Sequence, residues 1–159
     1  MSLFEPPAFW AVGPSDRATL PDLTTMIELT RELLPTNTPT DAQLVRFQCA
    51  LVNCAVTPPA DGAADRQNWE TRRAALRGLS AVSNHTDRLA RLQAFRRPVL
   101  IMSGSSTVPF HRGINEILAE NLPRVERVQI TGGHTAPVTA IEEFVATLRA
   151  FIVRHASGK

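Results

Sequence analysis

At 159 residues and 43% hydrophobic side chains, the chain is long enough for one ordinary globular domain, or part of one, with a core of its own. Its 17 basic and 15 acidic residues leave a net charge of +2, and the basic residues are dispersed arginines, Lys159 being the only lysine. Phosphate binding needs such charge gathered on one face and a bilayer span needs roughly 20 consecutive apolar residues, so neither a nucleic acid nor a membrane is an expected partner.

The N-terminus, Met1-Ser2-Leu3-Phe4-Glu5-Pro6-Pro7, has no basic region and no apolar run of signal length, and a cytoplasmic protein is expected. Ser2 to Glu5 reads as the end of a strand stopped by the prolines, which cannot continue a ladder. After Pro21, the near-helical spacing of Leu23, Met26, Ile27, Leu29, Leu33 and Leu34 predicts a helix ended by Pro35 and Asn37. Thr40 is the expected N-cap of a second helix carrying Leu44, Val45, Phe47, Leu51, Val52 and Val56, stopped by Pro58-Pro59. Cys49 and Cys54 lie within it, about 140° apart around the axis, and read as two buried, reduced thiols. A third helix is expected over 64–82, with Trp69, Leu76 and Leu79 on one side. In the arginine-rich stretch that follows, Arg88, Arg91, Arg96 and Arg97 interleave with Leu89, Leu92 and Phe95, as on the solvated face of an amphipathic segment.

From Pro98 the pattern changes. Pro98-Val99-Leu100-Ile101-Met102 is a continuous apolar run, as expected of a central strand buried on both faces. A helix over 110–121, a strand over 125–130, the turn Gly132-Gly133-His134 and a helix over 137–154 follow. The last carries Ile141, Phe144, Val145, Leu148, Phe151 and Ile152 on one stripe. Helices without strands, then strand, helix, strand, helix, predict an α/β fold with a helical insertion. No internal repeat or low-complexity tract is present.

The stretch from Leu92 to Ile152 resembles the C-terminal portion of α/β-hydrolases: a Pro-led strand ending in a Gly-Ser-rich turn, a helix ending in Asn121-Leu122-Pro123, a short strand, the Gly-Gly-His turn and a closing helix. Leu3-Phe4-Glu5-Pro6-Pro7 looks like the strand that leaves the sheet for that family's helical cap. The resemblance implies a short parallel sheet of about three strands flanked by helices. The whole of 1–159 would be a single partial domain, with 13–86 as the cap and 1–7 and 87–155 as core. It also implies a truncated or wrongly started product, or the second half of an enzyme whose first half lies elsewhere, because a Gly-x-Ser-x-Gly nucleophile elbow is absent.

Residue by residue, the resemblance makes His134 the general base, in the loop after the last strand, with the preceding glycines allowing a tight approach. The turn where many members carry the acid, Ser103-Gly104-Ser105-Ser106-Thr107, is neutral. The candidate acid is therefore Glu5, at the end of the preceding strand, with a purely structural backbone-bonding role as the alternative. Ser106 satisfies the middle of an elbow-like Gly104-Ser105-Ser106, but Val108 stands where the motif needs a small residue. As nucleophile it would need Glu126 or another acid before His134, and capping of the next helix is the competing role for these hydroxyls. The other histidines carry no such context: His85 is in a loop, His111 opens a helix, and His155 is in the C-terminal tail. Phe9, Trp10, Met26, Phe47 and Trp69 are candidates for an apolar pocket or for plain core.

No Walker loop, dinucleotide fingerprint or His-Glu-x-x-His occurs, and no cofactor or metal is implied. Two functions remain. One is a hydrolase of a small ester- or amide-type substrate by ancestry, inactive unless a missing N-terminal half completes it. The other is a noncatalytic binding or self-assembly module, a homo-oligomer joined through the exposed edge of the Leu3-Phe4 strand.

Overall fold

A computed structural model of the chain describes residues 1–36, 38–52 and 57–156. Asn37, Cys54 and Val56, named above as a helix stop, a thiol and a helix position, lie outside the described residues. The sheet is parallel, in the order β1 (Ser2–Phe4), β2 (Val99–Gly104) and β3 (Val125–Ile130). Leu3 pairs with Ile101 and Phe4 with Met102, while Gly104 pairs with Ile130. β2 takes the centre because every side chain from Val99 to Met102 is apolar, and all four are buried. The two-residue period of a strand divides them between two cores. Val99 and Ile101 join the larger one, with Phe110, Ile114 and Leu118, while Leu100 and Met102 meet Phe151, with Phe4, Phe144 and Leu148 against them.

Residues 13–86 hold only helices and turns among the described residues. Helix α1 (Pro14–Thr19) has proline at its first position, and the Gly13 N–H donates to Asp16 Oδ2 at 3.1 Å. Helix α2 (Pro21–Leu33) buries Leu23, Met26, Leu29 and Leu33 against the larger core, whereas Leu34, expected on the same stripe, is exposed. Helix α3 (Asp41–Val52) opens with a reciprocal box: the Gln43 N–H donates to Thr40 Oγ1 at 3.2 Å and the Thr40 N–H to Gln43 Oε1 at 2.9 Å. Cys49, expected buried, is half-buried.

The single helix expected over 64–82 is instead α4 (Arg66–Ala75), a 3₁₀ turn (Leu76–Gly78) and α5 (Leu79–Asn84). Gly78 sits in the break, where its low helix propensity weakens the α-helical ladder. Trp69 is buried, and its indole N–H donates to Asp41 Oδ1 at 2.9 Å. Arg66 and Arg73 also pair with Asp41, tying α4 to the start of α3. Hydrogen bonds from Trp69 and Arg66 hold the Asp41 carboxyl below its usual range.

After α6 (Leu89–Gln93) and β2 comes α7 (Pro109–Asn121), which lies on the larger core. The serine and threonine hydroxyls before it do not cap it. Its Phe110 N–H instead donates to Asp22 Oδ2 at 2.8 Å, a cap supplied from α2. The closing helix is likewise interrupted: α8 (Ala136–Thr139) ends at Ala140, whose φ of −128° and ψ of 47° leave the helical region, and α9 (Ile141–Ala156) follows. Phe144, Leu148 and Phe151 of α9 pack on the sheet, but Ile141 and Ile152 are 51% and 54% exposed, because the narrow sheet face takes only part of the stripe. Among the described residues no helix is long and apolar enough to cross a membrane.

Because Asp22 caps a helix 88 residues away in sequence, Asp22→Ala is expected to lower stability by about 1 kcal/mol or somewhat more in urea unfolding, with Asp22→Asn retaining most of it.

Candidate active site

Parallel strands deliver their carboxyl ends to one edge of the sheet, where α/β proteins place their ligands. Glu5 follows β1 directly. It is the sole described non-glycine residue with positive φ, at 38°, a strained conformation of the kind that clusters at functional sites. Its side chain is buried and divided between two partners: Oε1 accepts the Gly104 N–H at 2.8 Å, and Oε2 lies 2.8 Å from His134 Nδ1. The structure thus brings Glu5 and His134 together, and the backbone bond of the alternative reading is made by the other oxygen of the same carboxylate.

Gly104 makes this possible. A Cβ there would lie 2.4 Å from the Gly132 carbonyl oxygen and 2.5 Å from that of Gly133, so the loop carrying His134 lies against bare backbone. Further bonds fix the approach. The Ser105 N–H donates to Ile130 O at 2.8 Å, the Ser106 N–H to Gly132 O at 2.9 Å, and the Gly132 N–H to Ser105 Oγ at 3.3 Å. Of the two glycines before His134, Gly132 takes the positive φ, 104°.

Burial pushes the Glu5 pKa up, but the hydrogen bonds from His134 and Gly104 outweigh it, and the carboxyl is held below its usual value. An ionised carboxylate can only accept, so His134 Nδ1 carries a proton, and in the neutral ring the lone pair is then on Nε2. Nε2 makes no hydrogen bond among the described residues. The arrangement can orient an imidazole, take a proton at Nε2, and stabilise the cation that forms.

Sequence reasoning missed His111. It is 1% exposed, its ring stacks on that of His134 with centroids 4.4 Å apart and planes 8° apart, and neither ring nitrogen has a hydrogen-bond partner. Burial, then the neighbouring His134, push its pKa down to about 4, so the ring is neutral at physiological pH. The available signal was helical spacing, since His111, Asn115 and Leu118 recur on one inward side of α7. Glu5, His111 and His134 also form a cluster of metal-ligating side chains, their donor atoms within 4.8 Å of one another.

These three groups line the head of a cavity of about 370 Å³. Phe9, Met26 and Phe47, three of the five apolar candidates, line it too, whereas Trp69 is buried core and Trp10 packs edge-on against His85. Arg72 is the cationic side chain on its wall, reaching Gln48 Oε1 at 3.3 Å. The size and apolar character suit a small organic molecule.

Ser106 does not join this arrangement. It is exposed and makes no hydrogen bond to His134 among the described residues. The next N–H, that of Thr107, which in an elbow would face an oxyanion, donates to Gly104 O at 3.2 Å instead. Glu126 is equally remote from the role considered for it, because it pairs with Arg154 and with His155, which belongs to the last turn of α9.

Two outcomes follow from this geometry. His111 is held neutral in the fold with a pKa of about 4 against an ordinary 6.5, so between these values only the unfolded chain takes up the proton. Stability is therefore whole above pH 6.5 and falls as the pH drops toward 4, by an amount of order 3 kcal/mol from this group. His111→Phe, which keeps the flat ring, is expected to flatten that dependence in urea titrations. Gly104→Ala is expected to destabilise by about 1–3 kcal/mol and to abolish the low-field Nδ1–H proton resonance of His134, because the added methyl displaces the His134 loop.

No family model matches the sequence, and no curated protein matches it significantly. Among solved structures, MenH from S. aureus has a TM-score of 0.55 and 15% identity, over 86% of this chain and 54% of that one. Proline iminopeptidase from Mycobacterium smegmatis has a TM-score of 0.48 and 19% identity, over 97% of this chain and 57% of that one. An alpha/beta hydrolase from Sphaerobacter thermophilus has a TM-score of 0.44 and 21% identity, over 91% and 57%. The chain spans about half the length of the solved structures it matches. At these identities the likeness speaks to fold, and it is the match to MenH that carries it: this chain has the fold of the C-terminal portion of an α/β-hydrolase.

Proposed function

We propose that this chain is the acid–base half of a hydrolase acting on a small, largely apolar ester or amide. In this reading His134 is the general base, Glu5 its orienting acid, and residues 13–86 the cap over the cavity. The observation that supports it best is the 2.8 Å contact between Glu5 Oε2 and His134 Nδ1, made by side chains 129 residues apart in sequence. The proton would pass from an attacking hydroxyl to Nε2 and on to the leaving group, while Glu5 remains ionised. The hydroxyl and the oxyanion donors would come from outside these 159 residues, on a longer chain or a second polypeptide. A base without them retains little of the stabilisation that drives acyl transfer, so the chain alone would be inactive.

A second reading, a noncatalytic binding or self-assembly module, has its own support. β1 pairs only with β2, leaving its other edge open among the described residues, and Val138 and Val153 are 80% and 70% exposed.

Nitrogen NMR of the imidazoles tests the base without requiring turnover. At pH 7, His134 is expected to show a protonated Nδ1 and an acceptor Nε2, and Glu5→Gln is expected to remove that preference. A ring that favours the opposite tautomer would sink the assignment. In parallel, the 159-residue chain is expected neither to cleave a short-chain aryl ester nor to be labelled by a fluorophosphonate. Labelling at Ser106 would move the nucleophile into this chain.

A further inference from the structure

We propose that Glu5, His111 and His134 form a binding site for one zinc ion at the head of the cavity. The inference needs only the geometry of the three side chains and does not depend on the hydrolase reading.

The starting point is His111. Buried polar groups are hydrogen-bonded as a rule, and an exception calls for a water, an ion or a strained role. His111 is 1% exposed, both of its ring nitrogens lack a partner, and it lines the cavity. An imidazole nitrogen with no hydrogen-bond partner among the described residues is available to a metal. The second observation is the charge at the site. The Glu5 carboxylate is buried, and the groups that face it are the Gly104 N–H, His134 and the Thr107 hydroxyl. No arginine pairs with it there; Arg72, on the cavity wall, bonds Gln48 instead. A buried carboxylate beside two imidazoles is a place that attracts a cation.

The donor set selects among cations. Two imidazole nitrogens and one carboxylate oxygen suit zinc, whereas magnesium and calcium favour oxygen throughout. The donor atoms lie within 4.8 Å of one another. Zinc bonds of about 2.0–2.2 Å in a tetrahedron bring donors to roughly 3.4 Å apart, so the most widely spaced donors close by up to about 1.4 Å on binding. The stacked rings must also turn their nitrogens toward a common point. His134 can do so, because its side chain is 31% exposed and its loop is at the protein surface. Three protein ligands leave a fourth position, open to the cavity, for water or a small anion. Coordination replaces the Glu5–His134 hydrogen bond, so a zinc-loaded His134 is not a general base, and the two uses of the residue exclude each other.

The test is calorimetric titration of the full chain with zinc chloride at pH 7.5, after treatment with a chelator. Saturable uptake of one zinc per chain is expected, weakened more than about tenfold in His111→Phe and in Glu5→Gln. His85→Ala, which alters a histidine packed on Trp10 outside the site, is expected to bind as the parent does. If a variant is misfolded by circular dichroism, the nitrogen resonances of His111 and His134 in the parent decide, and they are expected to shift together as zinc is added. No saturable uptake by the folded parent, uptake unchanged in both ligand variants, or zinc-induced shifts confined to other residues would each overturn the proposal.

Discussion

The junction of Glu5 and His134 depends on the absence of one side chain. At Gly104 three segments meet without a Cβ between them: the end of the central strand, the loop of Gly132 and Gly133, and the Glu5 carboxylate bonded to the Gly104 N–H. Any side chain there would drive into backbone carbonyls, which cannot swing aside as a flexible side chain could. The 2.8 Å separation of Glu5 and His134 is thus a consequence of main-chain packing. The strained φ of Glu5 belongs to the same junction, since the residue must leave the strand and still turn its carboxylate back toward β2.

Around that junction the electrostatics are sparse. Glu5 is ionised although buried, and two hydrogen bonds replace the water it has lost. His111 closes the other face of His134 with a flat, neutral ring and satisfies neither of its own nitrogens. The result is an imidazole held from the edge by a carboxylate and from the face by a second imidazole, with Nε2 making no hydrogen bond among the described residues. Phe4 adds a third neighbour, its ring 6.4 Å from His134 and 6.1 Å, edge-on, from Phe144 of α9.

What could be read from the sequence was what local pattern encodes. The apolar run at Val99–Met102 and the glycines before His134 are short-range signals, and a central strand and a tight turn follow from them, whereas the three-stranded parallel sheet was implied by the family resemblance. Contacts between distant segments left no such mark. Nothing near Pro109 announces that Asp22 will cap its helix, and a histidine on the first turn of a helix reads the same whether it meets solvent or another histidine. The neutral turn Ser103–Thr107 directed attention to its hydroxyls, of which that of Ser105 holds the Gly132 loop and that of Ser106 is exposed. The helix breaks at Gly78 and Ala140 were hidden by apolar spacing that runs through them, because periodicity reports which side faces the core and not whether the axis continues.

The separation in sequence of Glu5 from its partners has a kinetic side. Gly104 is 99 residues away and His134 is 129, so each of these contacts closes a long loop of chain. Closing so large a loop is slow and is repaid only when β1 docks on β2, with the helical segment folded between them. β1 has three residues and lies at the sheet's edge, so it is also the strand most readily released by a local opening. Hydrogen exchange at the Gly104 amide therefore reports the docking of Glu5, whose carboxylate accepts that N–H.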